Sequence, residues 1–566
     1  MKLRNLFIAL LTALPFLGFS QYSVNTPPKN WQHLDKVKDG FMGVSADKMY
    51  AELLKGKKSQ TVIVAVIDGG VDPLHEDLKD VMWHNPGEIP GNGKDDDGNG
   101  YVDDVYGWNF IGGKDGKNVH HDQLESTRLV AKYKKQFKNV DPSSLSKKDR
   151  KKYDEYKKLE ASVVKEREEA ASNAAFYGGL LNAVNSIVKA TGKEKPTAKD
   201  ISKLKLEDEG IAYAAQLLGE RLSQGQSVDD FKEELQDGLD YFGGQADYYY
   251  NTDIDVRSIV GDNYADSYER YYGNNDVRGP DADHGTHVAG TIAAARNNGV
   301  GMNGIADNVK IMAVRCVPDG DERDKDVANA IIYAVDNGAS VINMSFGKGQ
   351  AWDKDAVDKA VKYAMKNDVL MVHAAGNSHQ DNDVEKNFPN DSFRKKGFLG
   401  LGPKMAKNWL EIGALSWKGG EDAAANFSNY GKKGVDVFAP GVDIYATFPD
   451  NHYKAISGTS MASPVAAGVA AVIRSYYPEL SAVQVKDIIM SSTTMTKNAK
   501  VKKPGGNGEL VPFSELSVTG GAVNGYEAIK KASTVKPKKK KNKWRKSGTK
   551  AGLQRGSTAP VEKNKA

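Results

Sequence analysis

Thr61-Val-Ile-Val-Ala-Val-Ile-Asp68 is an unbroken apolar run that ends on a carboxylate and runs straight into Gly69-Gly70. Its length suits a strand, and the lack of polar alternation means that both faces are covered, as in a parallel sheet between helices. Downstream the chain repeats this plan. His284 to Arg296 reads as a small-residue helix, Lys310 to Val317 as a strand, Asp326 to Asn337 as a helix and Ser340 to Met344 as a strand. Asp353 to Lys366 is again helical, and Val369 to Ala374, Leu410 to Leu415 and Val435 to Phe438 are strands. Such alternation predicts an α/β fold, a doubly wound parallel sheet with helices on both faces. These sheets handle ligands at the carboxyl ends of their strands. Asp68 ends its strand, and Ser345 and Asn377 follow theirs.

Three motifs carry the chemistry. Asp68 lies in Val66-Ile-Asp-Gly-Gly-Val-Asp72, His284 in Asp283-His-Gly-Thr-His-Val-Ala-Gly290, and Ser460 in Ser457-Gly-Thr-Ser-Met-Ala-Ser-Pro-Val-Ala-Ala-Gly468. A nucleophilic hydrolase needs a hydroxyl to attack, an imidazole to take and return the proton, and a carboxylate to orient the imidazole. Ser460 opens a run of small residues that reads as a buried helix. There its own N–H and the helix dipole favour a developing oxyanion, and Pro464 suits a first turn.

The order acid, imidazole, hydroxyl and the three motifs resemble the subtilisin-like serine proteases, the subtilases of peptidase family S8. The resemblance covers roughly residues 60–112 and 270–530. It implies Asp68 rather than Asp72 as the orienting acid, and His284 rather than His287 as the base. It implies Asn377, in His373-Ala-Ala-Gly-Asn377, as the oxyanion donor beside the Ser460 N–H. It also implies that Asn343-Met-Ser-Phe-Gly347 pairs with extended substrate, with Ser345, Phe346, Gly347, Ala375 and Gly376 binding it. The uncharged surround of Ser345-Phe346-Gly347 points to an apolar or broad preference. The implied activity is endopeptidase cleavage of proteins or peptides through an acyl-enzyme. Another serine hydrolase, an esterase or amidase, or a non-catalytic scaffold with a closed site would share these residues.

Between Asp68 and His284 lie 216 positions, where compact subtilisins need a few tens. Residues 123–250 read as a helical insertion: Ser146 to Ala171, Ala174 to Ala190, a segment capped by Thr197, and another opened by Ser227. Ala212, Ala215, Leu218 and Leu222 recur at helical spacing and predict a small separate core. Ahead of the insertion, Asn92-Gly-Lys-Asp-Asp-Asp-Gly-Asn-Gly-Tyr-Val-Asp-Asp104 alternates Asp95, Asp97 and Asn99 before Gly100. That is the spacing of a calcium loop; Tyr106 holds the place of the usual closing Glu, and Asp104 or Asp103 would substitute. Structural calcium is the expectation, with no organic cofactor.

Residues 1–20, with Lys2 and Arg4 before the apolar Leu6 to Leu17, read as a signal peptide, so a periplasmic or extracellular protein is expected. Residues 21–60 read as an arm or short prosegment, 61–122 and 251–530 as the two parts of the catalytic domain, and 531–566 as a basic tail. The net charge is +4, but Lys536 to Lys550 holds basic residues and no acid. Such a run suits an anionic envelope surface, and with Trp544 as its one aromatic it does not suit nucleic acid. A single Cys316 excludes an intramolecular disulfide, and its apolar neighbours predict an inert strand thiol in a monomer.

Overall fold

The computed structural model describes residues 26–395, 402–494 and 498–538. The signal peptide and most of the basic tail lie outside the described residues. Seven parallel strands form the central sheet: β1 (Val62–Asp68), β2 (Gly107–Asn109), β3 (Val309–Arg315), β4 (Val341–Met344), β5 (Leu370–Ala374), β6 (Trp409–Leu415) and β7 (Val437–Pro440). Their order is β2-β3-β1-β4-β5-β6-β7, so the chain winds outward in both directions from β1. Helices cover β1 on both faces of the sheet, and Asp68 ends the strand at which the winding reverses. Ligand crevices open at such switch points.

Alternate residues of β1 feed two cores. Val62, Val64 and Val66 pack on one side with α5 (Asp283–Ala293) and α8 (Thr459–Tyr476). Ala65 and Ile67 pack on the other with α6 (Asp324–Asp336) and α7 (Lys354–Lys366). The doubly wound sheet expected from the sequence is thus the observed fold. The three-residue edge strand β2 and the hairpin β8 (Ile444–Phe448) with β9 (His452–Ile456) lie outside the runs read as strands from the sequence.

Residues 26–60 belong to the catalytic body. Trp31 is fully buried and its indole N–H donates to the Val442 carbonyl at 3.0 Å, and Val44, Met49 and Leu54 join the core beneath it. Cys316 is buried, and burial pushes its thiol well above the ordinary range, as an inert strand thiol requires.

The insertion is helical: α1 (Glu125–Gln136), α2 (Lys147–Thr191), α3 (Glu209–Ser223) and α4 (Val228–Gly244). The two helices expected between Ser146 and Ala190 are one continuous helix of 45 residues, because no Gly or Pro interrupts the junction at Ser172-Asn173. Thr197 and Ser227 cap their helices in reciprocal capping boxes. Val130 and Phe137 of α1 pack on Tyr156 and Val163 of α2, and the far half of α2 packs on α3 and α4 through Leu180, Val184, Leu218 and Phe231. Ala215 and Leu218 lie in that core as expected, whereas Ala212 is exposed and Ala214 takes its place. Among the described residues no helix is long and apolar enough to cross a membrane.

Candidate active site

His284 stands in the first turn of α5, and its Nδ1 lies 2.7 Å from Asp68 Oδ1. Gly285 makes this approach feasible: a Cβ there would sit 2.0 Å from the Gly70 carbonyl oxygen. Asp68 Oδ1 also accepts from the Gly69 N–H at 2.8 Å, which fixes the carboxylate, while Oδ2 is buried without a partner. Burial alone would lower the pKa of His284, but the charge and hydrogen bond of Asp68 outweigh it and raise the pKa above the ordinary 6.5. The ring is 43% exposed, and the side-chain hydrogen bond it makes is through Nδ1.

The neighbouring candidates are engaged elsewhere. His287 Nε2 faces the Ile444 and Lys454 carbonyls at 2.8 and 3.2 Å, and burial lowers its pKa to about 4. Asp72 accepts from the Leu74 and Asp450 N–H groups. His75 is held between the His452 carbonyl and the Asp77 N–H.

Ser460 is the second residue of α8, after Gly458 as the N-cap. Its hydroxyl donates to the Ser345 carbonyl at 3.0 Å, and among the described residues no hydrogen bond joins it to His284. To reach His284 the hydroxyl would have to rotate about its Cα–Cβ bond, and long or missing contacts of this kind are common in sites without substrate. Pro464 lies in the second turn rather than the first. A proline there cannot donate to the carbonyl four residues back, which is that of Ser460. Ser345 Oγ supplies the missing bond at 2.9 Å and also meets Asn343 Nδ2 at 2.9 Å and Ser463 Oγ at 2.8 Å. Ser345 thus anchors the nucleophile helix through its side chain.

Asn377 Oδ1 accepts from both the Thr459 N–H (2.8 Å) and the Thr459 hydroxyl (2.9 Å). Its oxygen is committed, so its NH₂ must face the cleft. A Cβ built on Gly458 would lie 3.5 Å from Asn377 Nδ2 and 3.6 Å from the Ser460 backbone nitrogen, so both donors border one small space. Gly376, at φ +106°, leaves room for Asn429, whose amide oxygen accepts from the Ser378 and Gln380 N–H groups.

A cleft of about 320 Å³ opens on Ser460 and Asn377, and Ser345, Phe346, Gly347 and Gly376 line it. Ala375 does not. It is buried, and its carbonyl is taken by the amides of Asn382, Asn387 and Asn429; Ala374 lines the wall instead. The surround is also charged rather than neutral, since Glu322, Lys348 and Lys386 line the same cleft. Lys348 is buried, bound to Glu125 and Asp324 at 2.8 Å each. Glu125 and Arg128 come from α1, so the insertion is built into the wall of the cleft. This was not legible beforehand, because α1 begins with charged residues that read as solvated.

The acidic loop places Asp95, Asp97 and Glu88 with ligand oxygens within 4.8 Å of one another. Glu88 was not foreseen; its Oε2 is buried without a partner. Asn99 turns its amide nitrogen to Asp97 and Asp104, and Asp104 accepts from Tyr333, Asn85 and Asn99. Burial raises the pKa of Asp104 to about 7. The structure therefore brings Asp95 and Asp97 together with Glu88, while Asn99 hydrogen-bonds to Asp95, Asp97 and Asp104 beside them.

The family model of the subtilase family, peptidase S8, matches residues 59–508. A thermophilic serine proteinase of Bacillus sp. (strain AK1) is 39% identical over 40% of this chain and 49% of its own length, so the chain spans about half of that relative. Subtilisin DY of Bacillus licheniformis is 39% identical over 37% of this chain and 70% of its own. A solved structure of a protease from Pseudoalteromonas arctica PAMC 21717 aligns at 27% identity over 46% of this chain and 78% of that one, with a TM-score of 0.36. With the family model spanning most of the sequence, the chain belongs to the subtilase family.

Proposed function

We propose that the protein is a serine endopeptidase that cleaves protein or peptide substrates through an acyl-enzyme on Ser460. The observation that carries the reading is the 2.7 Å contact between His284 and Asp68, two residues 216 positions apart, beside a serine at a helix N-terminus. In this reading Ser460 Oγ rotates from the Ser345 carbonyl to His284 Nε2, gives up its proton and attacks the scissile carbonyl. The imidazolium, held by Asp68, then protonates the leaving amine. Asn377 Nδ2 and the Ser460 N–H receive the oxyanion. Water repeats the sequence to release the acyl group. A fluorophosphonate probe should label the wild type and not Ser460→Ala, and casein should be cut only by the former. An unlabelled wild type would favour a scaffold, and ester turnover without protein cleavage an esterase.

Calcium at Glu88, Asp95 and Asp97 fits three hard carboxylates, one with a buried oxygen that has no other partner. Chelation should lower the melting temperature of the wild type and leave Glu88→Gln unchanged. Equal sensitivity in both would sink the assignment. Export follows from Lys2 to Ser20, and removing those residues should retain the protein in the cytoplasm.

A further inference from the structure

Glu322 lines the cleft with Ser345 to Gly349 and is 1% exposed, and its Oε1 is buried without a hydrogen-bond partner. The charges around it do not balance. Among the described residues, Asp122, Glu125, Asp321, Glu322 and Asp324 share Arg128, Arg323 and Lys348, with Lys132 near Glu125 as a further cation. The three shared cations are committed. Arg323 binds Asp122 through two bonds of 2.7 and 2.9 Å, Arg128 lies 2.6 Å from Glu125, and Lys348 holds Glu125 and Asp324. Lys348 and Arg128 reach Glu322 only at its main-chain oxygen, at 2.6 and 3.1 Å. Lys386, exposed at the rim, points to the Asn382 and Asp383 carbonyls at 3.3 Å.

A buried carboxyl with no partner takes up a proton or pairs with a cation. Burial, reinforced by Asp321 and Asp324 against the pull of Lys348, pushes Glu322 up to about 8. The free protein at neutral pH therefore holds this carboxyl mostly protonated. An arriving cation would let it ionise and would offset the excess of acid.

We propose that Glu322 is a specificity-determining residue whose carboxylate receives the ammonium or guanidinium group of a substrate Lys or Arg side chain in the cleft that opens on Ser460. This rests on the endopeptidase reading. The side chain would enter along the wall formed by Ser345 to Gly349, and its charge would meet Glu322 Oε1, the buried oxygen that has no hydrogen-bond partner. An uncharged side chain of similar length would leave the carboxyl protonated and gain only its apolar contacts.

The test is cleavage profiling of a peptide library with the purified full chain and with Glu322→Gln. The wild type should enrich Lys or Arg at one fixed position by about tenfold or more over norleucine there, and the variant should lose that enrichment, its ratio of cation-bearing to cation-free peptides falling by about the same factor. The amide matches the protonated carboxyl in shape and charge, so the variant should fold, as a melting curve will show. As a second measurement on the wild type, the rate ratio of a lysine peptide to its norleucine counterpart should fall as acid protonates Glu322. Cleavage without cation preference, or a preference that survives Glu322→Gln, would overturn this inference alone. Failure to cleave any peptide would overturn the endopeptidase reading with it.

Discussion

At the residue scale the site depends on hydrogen bonds that leave each group a single useful orientation. Asp68 holds His284 by Nδ1, Thr459 turns the Asn377 amide outward, and Ser345 replaces the bond that Pro464 cannot make. The first of these has a pH signature. The proposed mechanism needs neutral His284, and its pKa is raised above 6.5, so kcat/KM should rise with pH through an acidic limb whose midpoint lies above 6.5. In Asp68→Asn the burial that opposes ionisation is no longer outweighed. The His284 titration, followed by NMR, should move down, and kcat should drop by about 10⁴, the size known for loss of the triad carboxylate in serine proteases. An unmoved titration would mean that Asp68 does not set the pKa. Asp68, His284, Ser460 and Asn377 were legible in the sequence because short contiguous motifs hold them. Glu322 and Glu88 were not, because the signal that marks them is burial without a partner, which only packing creates.

At the scale of elements, the root of the insertion was the least legible part. Glu322-Arg-Asp-Lys-Asp326 is a run of five charged residues that reads as solvent-exposed, yet all five are buried. Their partners come from distant segments. Arg323 pairs with Asp122, Lys325 with Asp262 and Glu269, and Asp326 with Arg257, whose bonds to it measure 2.6 and 2.8 Å. Charge runs report composition, whereas burial here comes from opposite charges supplied on either side of the insertion. A buried ion pair that loses one member leaves an uncompensated charge and costs about 3–5 kcal/mol. Arg128→Met should therefore lower the unfolding free energy by about that amount in denaturant titration, since it strands Glu125 beside Lys348 and removes a donor from the Gln123, Asp321 and Glu322 carbonyls. A change within error would mean that α1 is not held by its charges. Six of the seven central strands, all but β2, were by contrast legible within one or two residues, because continuous apolar runs between turn residues leave little latitude.

At the scale of the whole molecule, the helical insertion has a near part and a far part. The near part is α1, which shares the ion cluster with the cleft, and the first half of α2, which packs on α1 through Tyr156 and Val163. The far part has its own core around Leu180, Val184, Leu218 and Phe231. The helices meet where the far core begins: a Cβ on Gly238 would lie 2.4 Å from the Tyr177 ring, and Tyr177 stacks on Phe242 at 5.5 Å. Replacing residues 179–237 with a short glycine-rich turn should leave the catalytic body folded and small-peptide turnover unchanged. Deleting residues 123–250 should abolish folding, because Glu125 and Arg128 go with them. Circular dichroism melts and peptide kinetics on both variants decide the matter; a folded, active 123–250 deletion would contradict the ionic root.

One consequence concerns mechanics. From Arg167, which donates to the Ala246 carbonyl at 3.1 Å, α2 runs on to Thr191, a rigid rod of about 36 Å at 1.5 Å per residue. Tilting it by about ten degrees at Arg167 displaces its tip by about 6 Å. Conversely, a load of given size at the tip is felt near Arg128 with the advantage of a lever. A body gripping the far helices would thus pull on the Lys348 wall without ever entering the cleft.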